Sequence, residues 1–262
     1  MGKERKKRRY LIDEYRGFVV LNMIAYHATW DLVYLFNVKW DWYRSQIGFV
    51  WQQWICWSFI LISGFCWQMG KKHLKRGLMV YGAGALVSLV TILVMPQSRI
   101  VYGVLTFIGS AMLLMILCDL ICKKISPVLG GIGSFLLFLM TYSINDGYLT
   151  LGNRHMYLPS EWYANTYTTY LGFVENGFFS TDYFSIFPWF FLFVTGYFLY
   201  SCLLKAQKKN TNGQKSWEGV IENILCVSIC PPLGWIGRHA LIIYMLHQPA
   251  IYLLLSIWNM LQ

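Results

Sequence analysis

Residues 16–31 read RGFVVLNMIAYHATWD. Most of the stretch suits a membrane-spanning helix, yet it opens on Arg16, carries His27 well inside and closes on Asp31. With Asp13 just upstream, these ionisable residues form a stripe. At 100° per residue Asp13 and Asp31 coincide in angle, Arg16 and His27 lie about 60° and about 40° to one side, and Asn22 falls on the opposite face. A charge facing lipid at mid-bilayer costs roughly 2.5–3.5 kcal/mol or more, so the stripe must face a bundle interior or a wet cavity. Arg16 is expected near the cytoplasmic boundary and His27 about 16 Å further along the axis. One end therefore suits an anion arriving from inside and the other suits proton chemistry. His27 and Asp31 are i,i+4 neighbours, which lets the carboxylate hold one imidazole nitrogen and leave the other basic. Asp13 and Arg16 are close enough to the boundary to snorkel and equally fit a packing role. His27 lies too deep for that and points to function.

The rest of the chain agrees with a membrane environment. Of 262 residues, 56% are hydrophobic, 18% aromatic and 13% charged, where globular domains carry roughly 25% charged residues. The mean hydropathy is +0.44. Several runs reach the roughly 20 apolar residues that a spanning helix needs. The start KERKKRR resembles the basic region of a signal peptide, but Asp13, Glu14 and Arg16 interrupt the apolar stretch that should follow, so the first helix is expected to stay as a permanent span.

A formal net charge of +10 invites a nucleic-acid reading, but Lys and Arg recur in clusters at 3–9, 71–76, 123–124 and 205–215. Basic loops alternating with apolar runs mark positive-inside topology rather than a nucleic-acid patch, and exclude that partner. The seven cysteines lie in or beside apolar runs. The C-x₃-C spacings of Cys118 and Cys122 and of Cys226 and Cys230 lack a histidine partner, so they read as inert core thiols without a metal.

The expected architecture is an all-α integral membrane protein, a polytopic helical bundle of one membrane-embedded domain over residues 1–262. Spans are expected near 11–36, 47–69, 78–94, 100–122, 128–144, 183–204 and 236–258, about seven helices with eight as the alternative. The open question is residues 218–235, where ENILCVSICPPLGWI is short and carries Pro-Pro, and reads as interfacial or re-entrant. The basic N-terminus, residues 1–10, and the basic loop 205–217 are expected in the cytoplasm. Residues 145–181 form a long outer segment, expected to cap the bundle with aromatic side chains at headgroup level. His73, in a basic loop, reads as solvated. No internal repeat is evident, which counts against the commonest transporter architectures.

A second constellation closes the chain. GRHALIIYMLHQP holds Arg238, His239, Tyr244, His247 and Gln248. Tyr244, His247 and Gln248 have i,i+3,i+4 spacing and share a helix face, and Pro249 weakens the helix just beyond. Arg238 and His239 at the inner boundary fit anion binding or interfacial anchoring.

These stretches resemble the heparan-alpha-glucosaminide N-acetyltransferase catalytic family, in its compact bacterial branch. LIDEYRGFVVLNMIAYHATWDL resembles its opening helix, VYGVLTFIGSAMLL its fourth-helix motif, DYFSIFPWFFLFVTGYFLY its Pro-Trp motif and GWIGRHALIIYMLHQP its final motif. The four motifs follow in the family's order over nearly the whole chain. Thr106 stands where many relatives have His, Ala240 where Ser is usual, and lysosomal members have Asn at the position of His27. The resemblance implies a transmembrane acyltransferase of a bacterial cytoplasmic membrane. Its donor substrate would be acetyl-CoA from the cytoplasm, with no metal, and its acceptor an outward-facing amino sugar or other glycan or amine. Asp13, Arg16, His27, Asp31, Arg238 and His247 are carried over as candidate site residues. The expected catalytic set is His27, Asp31 and His247. The expected donor-binding set is Arg16, Asp13, Arg238 and His239, with Lys71, Lys72 and Arg76 from the second basic loop, since Arg offers bidentate donors to phosphate. The lipid bilayer is the remaining partner, and the sequence leaves a homo-oligomer open. The competing class is a multi-spanning transporter or flippase that uses the same stripe as a proton or substrate path.

Overall fold

The computed structural model describes residues 8–210, 221 and 223–261. Most of the basic N-terminal cluster, residues 1–7, and residues 211–220 and 222, from the basic loop 205–217 and its continuation, lie outside the described residues. The described chain divides into two compact units, a terminal one from the segments up to Phe59 and from Ala206 onward, and a central one, Ile60–Lys205.

The terminal unit is built on α1, Tyr10–Tyr34. A 3₁₀ turn, Asp41–Arg44, leads into α2, Gln46–Trp67, and the partition falls within α2. From the C-terminal segment come α8, Pro231–Arg238, and α9, Ala240–Met260. The expected 236–258 span is therefore broken at His239, between two helices. Both α8 and α9 pack along α1. The crossing of α1 with α8 depends on two glycines. A Cβ on Gly17 would overlap the Leu233 carbonyl, and one on Gly237 would overlap the Asp13 carbonyl. Val19, Val20 and Val33 of α1 are fully or almost fully buried.

The central unit holds α3, His73–Val94, α4, Val104–Cys122, and α5, Pro127–Thr141. The outer segment follows, with the antiparallel hairpin β1, Tyr148–Leu151, and β2, Arg154–Tyr157, and the single turn α6, Thr166–Thr169. Gly152 at φ 59° opens the two-residue hairpin loop, the position where a right-twisted ribbon needs positive φ. This hairpin is the one strand pairing among the described residues, set in a segment that is otherwise turns, irregular chain and single helical turns. Side-chain hydroxyls fasten this segment: Tyr163 Oη donates to the Ile144 carbonyl at 2.5 Å and Ser185 Oγ to Asn145 Oδ1 at 3.1 Å. Helix α7, Trp189–Asn210, starts in this unit. It begins six residues later than the expected 183, because Pro188 cannot donate within a helix and restricts the residue before it. Phe107, Met115, Phe138, Leu192 and Phe193, all fully buried, form the core.

Five helices among the described residues are long and apolar enough to cross a membrane: Gln46–Trp67, His73–Val94, Val104–Cys122, Pro127–Asp146 and Ala240–Trp258. The apolar part of α7, Trp189–Lys205, is shorter, and the 25 residues of α1 include Asp13, Glu14, Arg16 and Asp31. The composition and these helices together make the chain an integral membrane protein.

His73 is not a merely solvated loop residue. Helix α3 starts at His73, five residues before the expected span, and the imidazole stacks on Trp67 with ring centroids 4.0 Å apart and planes 21° apart. The indole in turn donates to the Met112 carbonyl at 3.0 Å.

Candidate active site

Helix α1 presents its polar residues at two levels, and the terminal unit treats them differently. Near its N-terminus, Asp13 accepts from Arg8 at 3.0 Å and pairs with Arg16 at 3.4 Å. Arg16 also donates to the Gly237 carbonyl at 3.2 Å, so its guanidinium ties α1 to the last turn of α8. Glu14, which the sequence reading left out, is buried at 4% exposure. Its carboxylate accepts from Ser228 Oγ at 2.5 Å and from the backbone N–H groups of Ile229 and Cys230 at 3.0 and 3.1 Å. Cys230 is the N-cap of α8, and Pro231 and Pro232 offer no N–H of their own. A carboxylate here completes the start of that helix and favours its dipole. The available signal was a glutamate near the start of a membrane helix, which must find donors.

The second level lies near the C-terminal end of α1. Asp31 is completely buried. Its Oδ1 accepts from Gln248 Nε2 of α9 at 2.8 Å, while Oδ2 has no hydrogen-bond partner. The anticipated His27–Asp31 hydrogen bond is not made. His27 instead lies against His247 of α9, ring centroids 5.0 Å apart and planes 54° apart. His247 is itself oriented by its own helix, with Nδ1 2.5 Å from the Tyr244 carbonyl. A carbonyl only accepts, so Nδ1 carries the proton and Nε2 carries the lone pair. That Nε2 is buried without a partner, and so is Gln248 Oε1. Pro249, inside α9, leaves the Met245 carbonyl without its usual intrahelical donor at this same level. The Tyr244 ring packs against His247 at 5.2 Å and Phe59 at 6.5 Å, closing one side of the cluster.

Three buried acceptor atoms on α1 and α9 thus have no partner among the described residues: Asp31 Oδ2, His247 Nε2 and Gln248 Oε1. Buried polar atoms are ordinarily hydrogen-bonded, and leaving one unsatisfied costs about 1–3 kcal/mol. Such a cluster is suited to a ligand that presents N–H or O–H groups.

The remaining expected residues distribute as follows. Arg238, the last residue of α8, is exposed. His239 approaches the Trp235 carbonyl through Nδ1 at 2.9 Å and packs on the Trp235 ring at 4.5 Å. Lys71, Lys72 and Arg76 belong to the central unit. Lys71 and Lys72 are exposed there, and Arg76 folds its guanidinium against Gly70. Of the outer carboxylates, Asp182 accepts from the Val104 N–H at 3.0 Å and so caps α4, whereas Asp146 and Glu161 are exposed. Cys118, Cys122, Cys202, Cys226 and Cys230 are free thiols.

The family model described as heparan-alpha-glucosaminide N-acetyltransferase, catalytic, matches residues 8–249. No curated protein and no solved structure matches the chain.

Proposed function

From a chain that belongs to the heparan-alpha-glucosaminide N-acetyltransferase catalytic family, we infer a membrane enzyme that takes the acetyl group of acetyl-CoA on the cytoplasmic side and delivers it to an outward-facing amine or hydroxyl acceptor. The observation that carries this reading is the trio of acceptor atoms on α1 and α9 without partners among the described residues, one of them on His247, whose ring lies 5.0 Å from that of His27. A path for transport needs groups that pass a proton or substrate along. A transferase needs a base of fixed tautomer next to a place for N–H or O–H groups, and that is the arrangement of His247, Asp31 and Gln248.

In this reading His247 Nε2 takes the proton of the acceptor N–H or O–H as the acceptor atom attacks the thioester carbonyl. The tetrahedral adduct collapses, the carbon–sulfur bond breaks, and the thiolate leaves and is protonated. His247 Nε2 then returns that proton to the thiolate, and His27, 5.0 Å from His247 ring to ring, packs beside it. This assigns the base to His247, with His27 as its partner, where the sequence reading had given that role to His27. Arg238, exposed at the end of α8, and Arg16, fixed by Asp13 and the Gly237 carbonyl, would engage the CoA phosphates.

Thermal unfolding of the purified protein with and without acetyl-CoA tests the donor without knowledge of the acceptor. Saturation at about 100 times Kd stabilises a fold by roughly 2.7 kcal/mol. The expected result is a clear upward shift that ATP at the same concentration does not reproduce. No shift at millimolar acetyl-CoA would overturn the assignment and favour transport.

A further inference from the structure

Gln248 joins α9 to α1 through its hydrogen bond to Asp31, and its amide has two ends to account for. The geometry fixes which end of its amide does which. Asp31 Oδ1 lies 2.8 Å from the amide nitrogen, and a carboxylate oxygen can only be approached in this way by a donor. The NH₂ end is therefore committed to Asp31, and Oε1 is turned away from it. Oε1 is buried and has no partner, and neither does the second oxygen of Asp31. The adjacent His247 supplies the lone pair on Nε2, with its Nδ1 held at the Tyr244 carbonyl. Only one of these three acceptors is needed to receive the reacting proton. The other two remain, both oxygens, and they are linked through the Gln248–Asp31 hydrogen bond.

We propose that Gln248 is the residue that reads the acceptor: its amide nitrogen orients Asp31, and its Oε1, together with Asp31 Oδ2, receives a second donor group, a hydroxyl on a carbon next to the reacting nitrogen or oxygen. The proposal rests on the acetyltransferase reading above and adds to it the residue that selects the substrate. A single amine with bare hydrocarbon neighbours would leave one or both oxygens unsatisfied in a buried site. Sites built to bind a substrate hydroxyl reject the analogue that lacks it far more strongly than an apolar pocket discriminates by size.

The test uses the full-length protein in detergent, acetyl-CoA as donor, and two amines of similar ring size as probes, glucosamine and cyclohexylamine, with CoA release followed by a thiol reagent. The wild type should favour glucosamine by about a hundredfold or more in kcat/KM. In Gln248→Leu that preference should fall by about ten- to a hundredfold, mainly through the KM for glucosamine, the loss of one buried hydrogen-bonding partner. The KM for acetyl-CoA and the thermal shift it produces should not change. If Gln248→Leu does not fold, Gln248→Asn keeps both amide atoms but withdraws them by one methylene, and its preference should lie below that of the wild type. An unchanged preference in whichever variant folds would overturn the proposal, and so would a wild type that binds acetyl-CoA yet acetylates both amines alike or neither. A wild type with no acetyl-CoA shift would instead defeat the enzyme assignment on which the proposal rests.

Discussion

The two ends of α1 carry similar residues and do opposite things. At the N-terminal end, Asp13, Glu14 and Arg16 are each engaged: Asp13 between two arginines, Arg16 on the Gly237 carbonyl, and Glu14 on a hydroxyl and two backbone N–H groups. At the C-terminal end, Asp31 is more deeply buried and less well served, with one donor for two oxygens, and its neighbours His247 and Gln248 also have atoms to spare. A buried carboxylate whose oxygens are all satisfied is part of the scaffold. One left partly unsatisfied in a membrane helix is an expense that persists only where something else uses it. The comparison separates residues that the bare stripe could not separate, since on the helical wheel Asp13 and Asp31 coincide.

The largest effect is expected at His247. His247→Ala should lower acetyl transfer by about 10²–10⁴-fold, the usual worth of a positioned general base, with the acetyl-CoA thermal shift retained. His27→Ala should show a smaller loss under the same assay. Equal losses would merge the two roles, and a larger loss at His27 would restore it as the base.

At the other end of the helix the effect should be on the fold. Glu14→Gln removes one acceptor oxygen and turns an NH₂ group toward Ile229 N–H, Cys230 N–H or Ser228. The unfolding temperature should fall, and activity per folded molecule at saturating substrate should change little, because Glu14 is not among the groups with unpartnered atoms. A folded variant that loses turnover would move Glu14 into the machinery.

The smallest effect is expected in the central unit. Asp182 has one donor, the Val104 N–H, and burial pushes its carboxyl from the ordinary 3.8 up to about 6. The folded state therefore binds a proton more tightly than the unfolded chain, so this group's contribution to stability is greatest below about pH 4 and declines as pH rises to about 6. Unfolding temperatures of the wild type and Asp182→Asn between pH 4 and 7 should converge toward acid, apart from a constant offset, and separate across that window. Parallel curves would show that Asp182 does not titrate there.

Much of the fold was legible because it depends on local sums. The apolar runs and the basic clusters at 71–76 and 123–124 can be read one stretch at a time. The turn at Gly152 and the late start of α7 after Pro188 depend on local residues too, but were not read. His73 was misread because its partner, Trp67, lies across a turn that composition marks only as basic. The site was half legible. Tyr244, His247 and Gln248 share a face by spacing alone, and His27 and Asp31 share the stripe. Their pairing was not legible, because the i,i+4 neighbour on the same helix is the partner that spacing favours, whereas 217 residues separate Asp31 from the Gln248 it accepts from.

By itself, then, the sequence determined that this chain lives in a membrane and that its first and last helices carry ionisable groups too costly to face lipid, since transfer free energies add residue by residue along a helix. Only the tertiary structure decided which of those groups are satisfied. Hydrogen bonding is a matter of which atoms of two distant segments meet within about 3 Å, and the close crossing at Gly17 and Gly237 and the packing of α9 on α1 set those meetings.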